Sequence, residues 1–174
     1  MYQLSLCFVL VFMLSPLAAA GESATQKTLE WKAGAASAKI TPDKPLKMAG
    51  YAGRKEPAEG TEQDLYAKAL AVEDQQGNRV VFLTLDLIGV IDRLRSDVTS
   101  QVQDKYKLDP AALLMNASHT HCGPAYGRDD AEEYYNQLST TLVKTIGQAI
   151  ENLQPAQLSW SAARCSVAMN RRTP

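Results

Sequence analysis

Apolar and polar residues follow two distinct patterns along the chain. The first, two apolar-rich runs separated by a turn-forming segment, predicts a β-hairpin. The runs LYAKALAVED and RVVFLTLDLIG are rich in β-branched and aromatic residues and flank the turn-forming segment DQQGN. They predict strands at 66–73 and 79–86, joined by a turn in which Gly77 takes a positive φ. The second run is nearly continuous in apolar residues, which favours a buried central strand.

The second pattern, an apolar residue every three or four positions, predicts two helices. In the first, Asp92 is the expected N-cap, Leu94, Val98 and Val102 share one face, and the helix ends near Tyr106. The second is expected to begin around Asp129-Asp130, with acidic residues in its first turn that complement the helix dipole. Its apolar stripe consists of Tyr135, Leu138, Leu142, Ile146, Ile150 and Leu153, and Pro155 follows its end.

Three further segments are predicted to be strands. AGAASAKIT, from Ala33, is typical of an edge strand; AALLMNAS, at 111–118, of a third core strand; and AQLSWSAARCSVAMN, at 156–170, of a long or bent final strand. The order β, loop, β-hairpin, α, β, α, β predicts an α/β domain with a mixed sheet and helices packed on it.

A long segment rich in Pro, Gly and charge, residues 43–64, is predicted to be a loop. Loops of this length in a compact domain are usually functional or disordered. Its stretch Gly50-Tyr51-Ala52-Gly53-Arg54 either presents an aromatic ring and a cation to a ligand or is a flexible surface loop.

The first twenty residues, MYQLSLCFVLVFMLSPLAAA, have the pattern of a secretory signal peptide. An apolar run ends at Leu17, and the small residues at 18 and 20 suit cleavage after Ala20. The alternative is an uncleaved membrane anchor, but the run is shorter than the roughly 20 residues that a span needs. Export to a secreted or periplasmic location is therefore predicted. It leaves about 150 residues, enough for one domain, at 33–174.

Composition narrows the classes of partner. The chain has 18 basic and 19 acidic residues, a formal net charge of −1, so nothing indicates nucleic-acid binding. Two cysteines remain after cleavage, Cys122 and Cys165, and the sequence leaves open whether they pair. Cys122 is either a small buried residue or a neighbour of a metal site.

Both histidines of the chain lie in one stretch, NASHTHCGP, at 119 and 121. In an extended segment, residues i and i+2 project from the same face, so this spacing offers two imidazoles to one zinc ion. Catalytic zinc needs three protein ligands, and these two histidines supply at most two of them. The alternative is therefore that the stretch is an ordinary polar turn. Ser118 and Thr120 supply hydroxyls that can orient the imidazoles. Asp86, at the end of a predicted buried strand, either contributes to the site or caps a turn.

The stretch ASHTHCGP resembles the ASHTHSGP signature of the neutral, non-lysosomal ceramidases. Other segments resemble that family in the same order along the chain. These segments are AGAASAKITP, KMAGYAGR, LYAKALAVED, VVFLTLDLIG and the terminal MNRRTP. The resemblance covers residues 33–174 and implies the N-terminal part of a ceramidase-type catalytic domain. Cys122 stands where the family usually has serine.

The resemblance implies a role for each matching residue. His119 corresponds to a zinc ligand, and His121 to a residue that binds the polar head of the substrate or the developing oxyanion. Arg171, preceded by Asn170, corresponds to an arginine that points into the same site. The implied reaction is zinc-dependent hydrolysis of a ceramide-like N-acyl lipid to a long-chain base and a fatty acid, with peripheral membrane contact for access to the lipid.

The family's remaining zinc ligands, a second His, a Glu and a Tyr, come from later segments. We therefore expect the 174-residue chain to be inactive alone, either as a fragment of a longer enzyme or as a non-catalytic remnant. The alternative function is a secreted binding or structural domain that retains the fold. An open reading frame continuing past codon 174 would favour the enzyme.

Overall fold

The structure is a computed structural model that describes residues 30–167. It contains one five-stranded sheet and two α-helices. The strands are β1 (Trp31–Lys39), β2 (Tyr66–Glu73), β3 (Arg79–Leu85), β4 (Leu113–Ala117) and β5 (Gln154–Ala156). The helices are α1 (Asp92–Tyr106) and α2 (Glu132–Glu151), and short 3₁₀ turns at Pro110–Ala112 and Asp129–Ala131 precede β4 and α2.

The sheet is mixed, in the order β4-β3-β2-β1-β5. The predicted hairpin is confirmed: β2 and β3 pair antiparallel, and Gly77 in their turn has a φ of +83°. β3 and β4 are parallel and are connected through α1. β5 pairs with only the first three residues of β1, Trp31–Ala33, so β1 has the expected edge position along the rest of its length.

The helices cover one face of the sheet. Small residues of β2 and large residues of β3 point toward them and are buried, because side chains alternate between faces along a strand. This face consists of Ala67, Ala69, Ala71, Val81, Leu83 and Leu85. The alanines leave room for α2, which packs on β1, β2 and α1.

The opposite face of the sheet carries exposed apolar residues. Leu70, Phe82 and Leu114 occupy one row across three paired strands and are 43%, 40% and 48% exposed. The prediction that β3 is a buried strand is therefore wrong for one of its faces. Its apolar run marks an internal strand that the described helices cover on one side only.

Both helices lie where the periodicity predicts. Leu94, Val98 and Val102 of α1 are fully buried. The expected N-cap is wrong by one position: Ile91 is the N-cap, with no side-chain cap, and Asp92 is the first helical residue. There its carboxylate is favoured by the positive end of the helix dipole, which explains an acidic residue at this boundary equally well.

The predicted final strand is much shorter than expected. β5 ends at Ala156, and residues 157–167 form neither helix nor strand, with Trp160 91% exposed. A strand requires a partner edge, which residue preferences along one segment do not supply. The predicted signal peptide and residues 168–170 of the predicted strand lie outside the described residues. No helix within residues 30–167 has the length and apolarity to cross a membrane.

Glu73 at the end of β2 is a buried carboxylate with two cationic partners. It accepts hydrogen bonds from Lys32 Nζ at 2.8 Å and from Arg79 Nη2 at 2.6 Å. The hydrogen bond from Lys32, and then that from Arg79, lowers the pKa of Glu73. The stabilisation is therefore complete above the unfolded-state pKa of about 4.3 and is lost as the pH falls toward the folded-state value.

We expect Glu73→Gln to cost about 1 kcal/mol of unfolding free energy at pH 7, and this cost to shrink as the pH falls below about 4. Urea unfolding of both proteins at several pH values checks this, with Glu151→Gln at an exposed position as the control. A cost that stays constant from neutral to acidic pH would contradict the assigned charge interaction.

Candidate active site

The histidine motif lies in the turn that follows β4. The strand ends at Ala117, and His119 adopts the left-handed region with a φ of +59°. The segment is therefore not extended at this residue, contrary to the assumption behind the i, i+2 expectation. The two imidazoles nevertheless lie together, with ring centroids 5.0 Å apart and planes at 70°.

A backbone carbonyl fixes the orientation of the His119 ring. Nδ1 of His119 lies 2.7 Å from the carbonyl oxygen of Ile88, in the loop after β3. Because a carbonyl oxygen only accepts hydrogen bonds, Nδ1 carries the proton and Nε2 keeps its lone pair in the neutral ring. A histidine that binds a metal through one nitrogen commonly donates the other N–H to a carbonyl in this way. The His119 ring is exposed, and its Nε2 makes no part of this contact.

The loop that supplies this carbonyl is itself anchored by Tyr126. The buried Tyr126 hydroxyl donates to Gly89 O at 2.5 Å and accepts from Ile91 N at 3.4 Å. Burial raises the pKa of Tyr126, so the phenol keeps the proton that it donates. Tyr126 therefore holds in place the loop immediately after Ile88, through Gly89 and Ile91.

His121 contacts a different part of the chain. The edge of its ring meets the Tyr51 ring at a centroid distance of 4.8 Å, and Arg54 Nη1 donates to its carbonyl oxygen. The Arg54 guanidinium therefore binds the protein's own backbone. It attaches the Gly50–Arg54 stretch to the histidine motif, so this stretch is not a free surface loop. Tyr51 remains 58% exposed beside the imidazole.

The hydroxyl residues of the motif border a cavity next to the 41–65 loop. Ser118, Thr120 and Cys122 line a cavity of about 1450 Å³ beneath the 41–65 loop, and neither histidine lines it. The Thr120 hydroxyl accepts from Cys122 N at 3.1 Å, whereas the carbonyl of Ile88 orients His119. This cavity and the two imidazoles are thus bordered by different residues of the same segment.

Asp86 caps the end of the hairpin. Its Oδ2 accepts from Tyr66 N at 3.0 Å, next to the main-chain bond from Asp86 N to Tyr66 O. The carboxylate thus binds the open end of the hairpin and not a turn, and its contribution to the site stays a prediction. The same carboxylate also lines the cavity.

The structure leaves some site predictions outside its range. Asn170 and Arg171 lie beyond the described residues, so they stay predictions. Within residues 30–167, no group of three or more His, Cys, Asp or Glu is placed to hold a metal ion. Cys122 and Cys165 are free and exposed. The role of His119 as a zinc ligand therefore stays a prediction.

Sequence reasoning missed two contributors to this geometry. Ile88 acts through its main chain, so its side-chain identity carries no signal. Tyr126 follows Gly123-Pro124 in a glycine-rich turn, where a lone aromatic residue is a weak sign of an anchored loop. The contacts of Tyr51 and Arg54 with His121 join positions about 70 residues apart, and only the fold reveals them.

A match to a family model identifies the protein family of this chain. Residues 31–174 match the model for "Neutral/alkaline non-lysosomal ceramidase, N-terminal". The chain belongs to this family. The resemblance inferred from the motifs is thereby confirmed, with a boundary two residues before the expected start at 33.

Curated relatives agree over parts of the chain. Neutral ceramidase from Drosophila pseudoobscura pseudoobscura is 32% identical over 97 residues, which cover 54% of this chain and 14% of that protein. Neutral ceramidase 1 from Arabidopsis thaliana is 27% identical over 142 residues, which cover 74% of this chain and 18% of that protein. The chain thus spans less than a fifth of the length of these relatives.

A solved structure confirms the fold. Neutral ceramidase from Pseudomonas aeruginosa matches with a TM-score of 0.64 at 24% identity, over 72% of this chain and 22% of that one. A ceramidase complexed with C2 matches with a TM-score of 0.63. The mixed sheet with helices packed on it, predicted from the order of elements, is the fold observed in these proteins.

Proposed function

We propose that this chain forms the N-terminal part of a zinc-dependent ceramide hydrolase of the neutral ceramidase type. The single observation that carries the proposal is the His119 geometry: the family's motif histidine is held at Nδ1 by a carbonyl, with Nε2 free to bind a metal. The remaining ligands would come from outside the described residues. Membership of the family supports the substrate class, as does the related ceramidase complexed with C2.

In this proposal the reaction is hydrolysis of the amide of an N-acyl sphingoid lipid. Water adds across the C–N bond, so the acyl carbon leaves as a fatty acid and the nitrogen as the amine of a long-chain base. Zinc, when bound, supplies Lewis-acid polarisation and a water molecule of lowered pKa.

The chain's own residues would divide the remaining tasks. His119 would hold the metal. The His121 ring, whose centroid lies 5.0 Å from that of His119, would bind the polar head of the substrate or the oxyanion that develops on the carbonyl. Arg171, with Asn170 beside it, would add a second donor to the same oxyanion. Ser118, Thr120 and Asp86 would support the motif through its turn and the adjacent cavity.

The proposal includes a location. The N-terminal pattern supports export to a secreted or periplasmic compartment with cleavage after Ala20. There the protein would reach its lipid substrate by peripheral contact with a membrane surface.

The test is to express the protein from its native reading frame and to measure zinc by elemental analysis and long-chain base release by mass spectrometry. We expect about one zinc per chain and cleavage of N-acylsphingosine. His119→Ala is expected to lose both zinc and activity, because it removes a ligand. His121→Ala is expected to keep zinc and to lose activity by about 10²- to 10³-fold.

Three outcomes would contradict parts of the proposal. Full activity in metal-free protein would exclude the role of zinc. Loss of zinc in His121→Ala but not in His119→Ala would reverse the assignment of the two histidines. Lipid binding without cleavage by the native protein would favour a secreted binding domain.

A further inference from the structure

The segment 47–54 lies directly against the residues that follow His121. Ala49 N donates to Gly123 O at 2.9 Å, and Ala125 N donates to Lys47 O at 2.7 Å. Met48 and Pro124 form an isolated antiparallel bridge between the same two segments. The start of the long loop is therefore joined to the histidine motif by main-chain pairing.

Arg54 strengthens this junction at His121 itself. Its Nη1 donates to the carbonyl oxygens of His121 and of Ala49, the latter at 3.1 Å. One guanidinium nitrogen thus links the backbone of the motif to the backbone of the loop. The side chain is half-buried, and Arg54 N also donates to Tyr51 O at 3.1 Å, which closes the turn between them.

Tyr51 contacts the His121 ring. The two rings meet edge to face, at 75° and a centroid distance of 4.8 Å, a favourable geometry for aromatic pairs. The Arg54 guanidinium lies 4.7 Å from the centroid of the Tyr51 ring, a distance at which cation–π attraction acts. Arg54 therefore holds the His121 main chain directly and the His121 ring through Tyr51.

We infer that Tyr51 and Arg54 are positioning residues for His121, a pair that we name the His121 latch. Its importance for catalysis rests on the proposed function of His121, whereas the contacts themselves do not. An imidazole held at main chain and ring has fewer orientations to lose when it binds an oxyanion. Because misplacement by about 1 Å can cost on the order of 100-fold in rate, loss of the latch lowers kcat more than it changes KM.

The test uses NMR of the native protein, isotopically labelled at histidine. Substitution of each histidine in turn assigns the imidazole signals of His119 and His121 among those of any other histidines. In the wild type we expect nuclear Overhauser contacts between the Tyr51 and His121 rings. Arg54→Ala is expected to abolish these contacts, and Tyr51→Leu, which removes the ring, to shift the His121 imidazole signals. The His119 Nδ1–H tautomer is expected to be retained in both variants.

Two variants control for merely structural effects. Tyr51→Phe keeps the ring edge and is expected to retain the contacts and kcat. Arg95→Ala removes an exposed arginine on α1 and is expected to change neither. If Arg54→Ala fails to fold, Tyr51→Leu, which keeps the arginine, decides. Unchanged His121 signals and Overhauser contacts in a folded Arg54→Ala variant would overturn the latch.

The two proposals fail in different ways. The NMR measurement needs no zinc, lipid or turnover, so a protein without amidase activity still tests the latch. In active protein, Arg54→Ala is expected to lower kcat by about 10-fold or more with full zinc content. An intact latch whose loss leaves kcat unchanged would overturn its catalytic importance and leave the zinc assignment standing.

Discussion

Replacement of Gly34 by alanine is expected to lower the free energy of unfolding by about 3 kcal/mol. Gly34 lies in β1 where the end of α2 crosses it, and a Cβ there would lie 2.7 Å from both Asn152 C and Leu153 N and would overlap Ala149 O. All three contacts are with backbone, so no side-chain rotation relieves them. The strand and the helix would have to separate, which weakens the packing of α2 on the sheet.

Urea unfolding monitored by circular dichroism measures this effect, with Gly60→Ala as the matched control. A Cβ at Gly60 meets no heavy atom within 4 Å. The control is therefore expected to change stability by less than about 0.5 kcal/mol. An equal midpoint for Gly34→Ala and wild type would show that α2 does not pack as closely on β1 as the structure describes.

The parts of the fold that the sequence predicts well are those defined by short-range periodicity. The α1 stripe, for example, follows from Leu94, Val98 and Val102 alone, and all three are buried. The hairpin follows from two runs rich in β-branched and aromatic residues and from the turn at Gly77. In both cases residues close to one another in the sequence determine the element, so no distant contact is needed.

The final strand shows where such reasoning stops. Leu158, Trp160 and Val167 have the composition of a strand, but they are exposed in a segment without regular structure. Pairing depends on the path of the chain: β5 pairs with β1 at Trp31–Ala33, and residues 157–167 do not continue that pairing. The apolar row Leu70, Phe82 and Leu114 makes the same point, because a run of apolar letters does not tell which faces are covered.

The site was predictable in its residues more than in its geometry. The resemblance of the motif selects His119 and His121, but their relation in space depends on a left-handed residue and on a distant carbonyl. The extended-segment argument reached the correct proximity of the rings from an incorrect backbone conformation. The contacts that orient each ring come from different loops, after β3 for His119 and before β2 for His121.

Gly50→Ala is expected to displace the His121 ring and to cost about 1–3 kcal/mol in stability. Gly50 has a φ of +99°, which is strained for a residue with a side chain. An added Cβ would also lie 2.6 Å from His121 Cβ and 2.7 Å from Nδ1. Since the Tyr51 ring also contacts this imidazole, a displacement of the ring would disturb that contact. In active protein we expect kcat to fall by about 10- to 100-fold.

Gly77→Ala separates the two causes. Gly77 has a similar φ of +83°, but a Cβ there meets nothing within 4 Å. It should therefore reproduce the backbone strain of Gly50→Ala without touching an imidazole. Similar losses of stability, with His121 signals and kcat altered only in Gly50→Ala, would show that glycine is needed at position 50 for the ring and not only for the turn. If both variants alter His121 equally, or neither does, the close approach of the Gly50 turn to His121 does not determine the orientation of the imidazole.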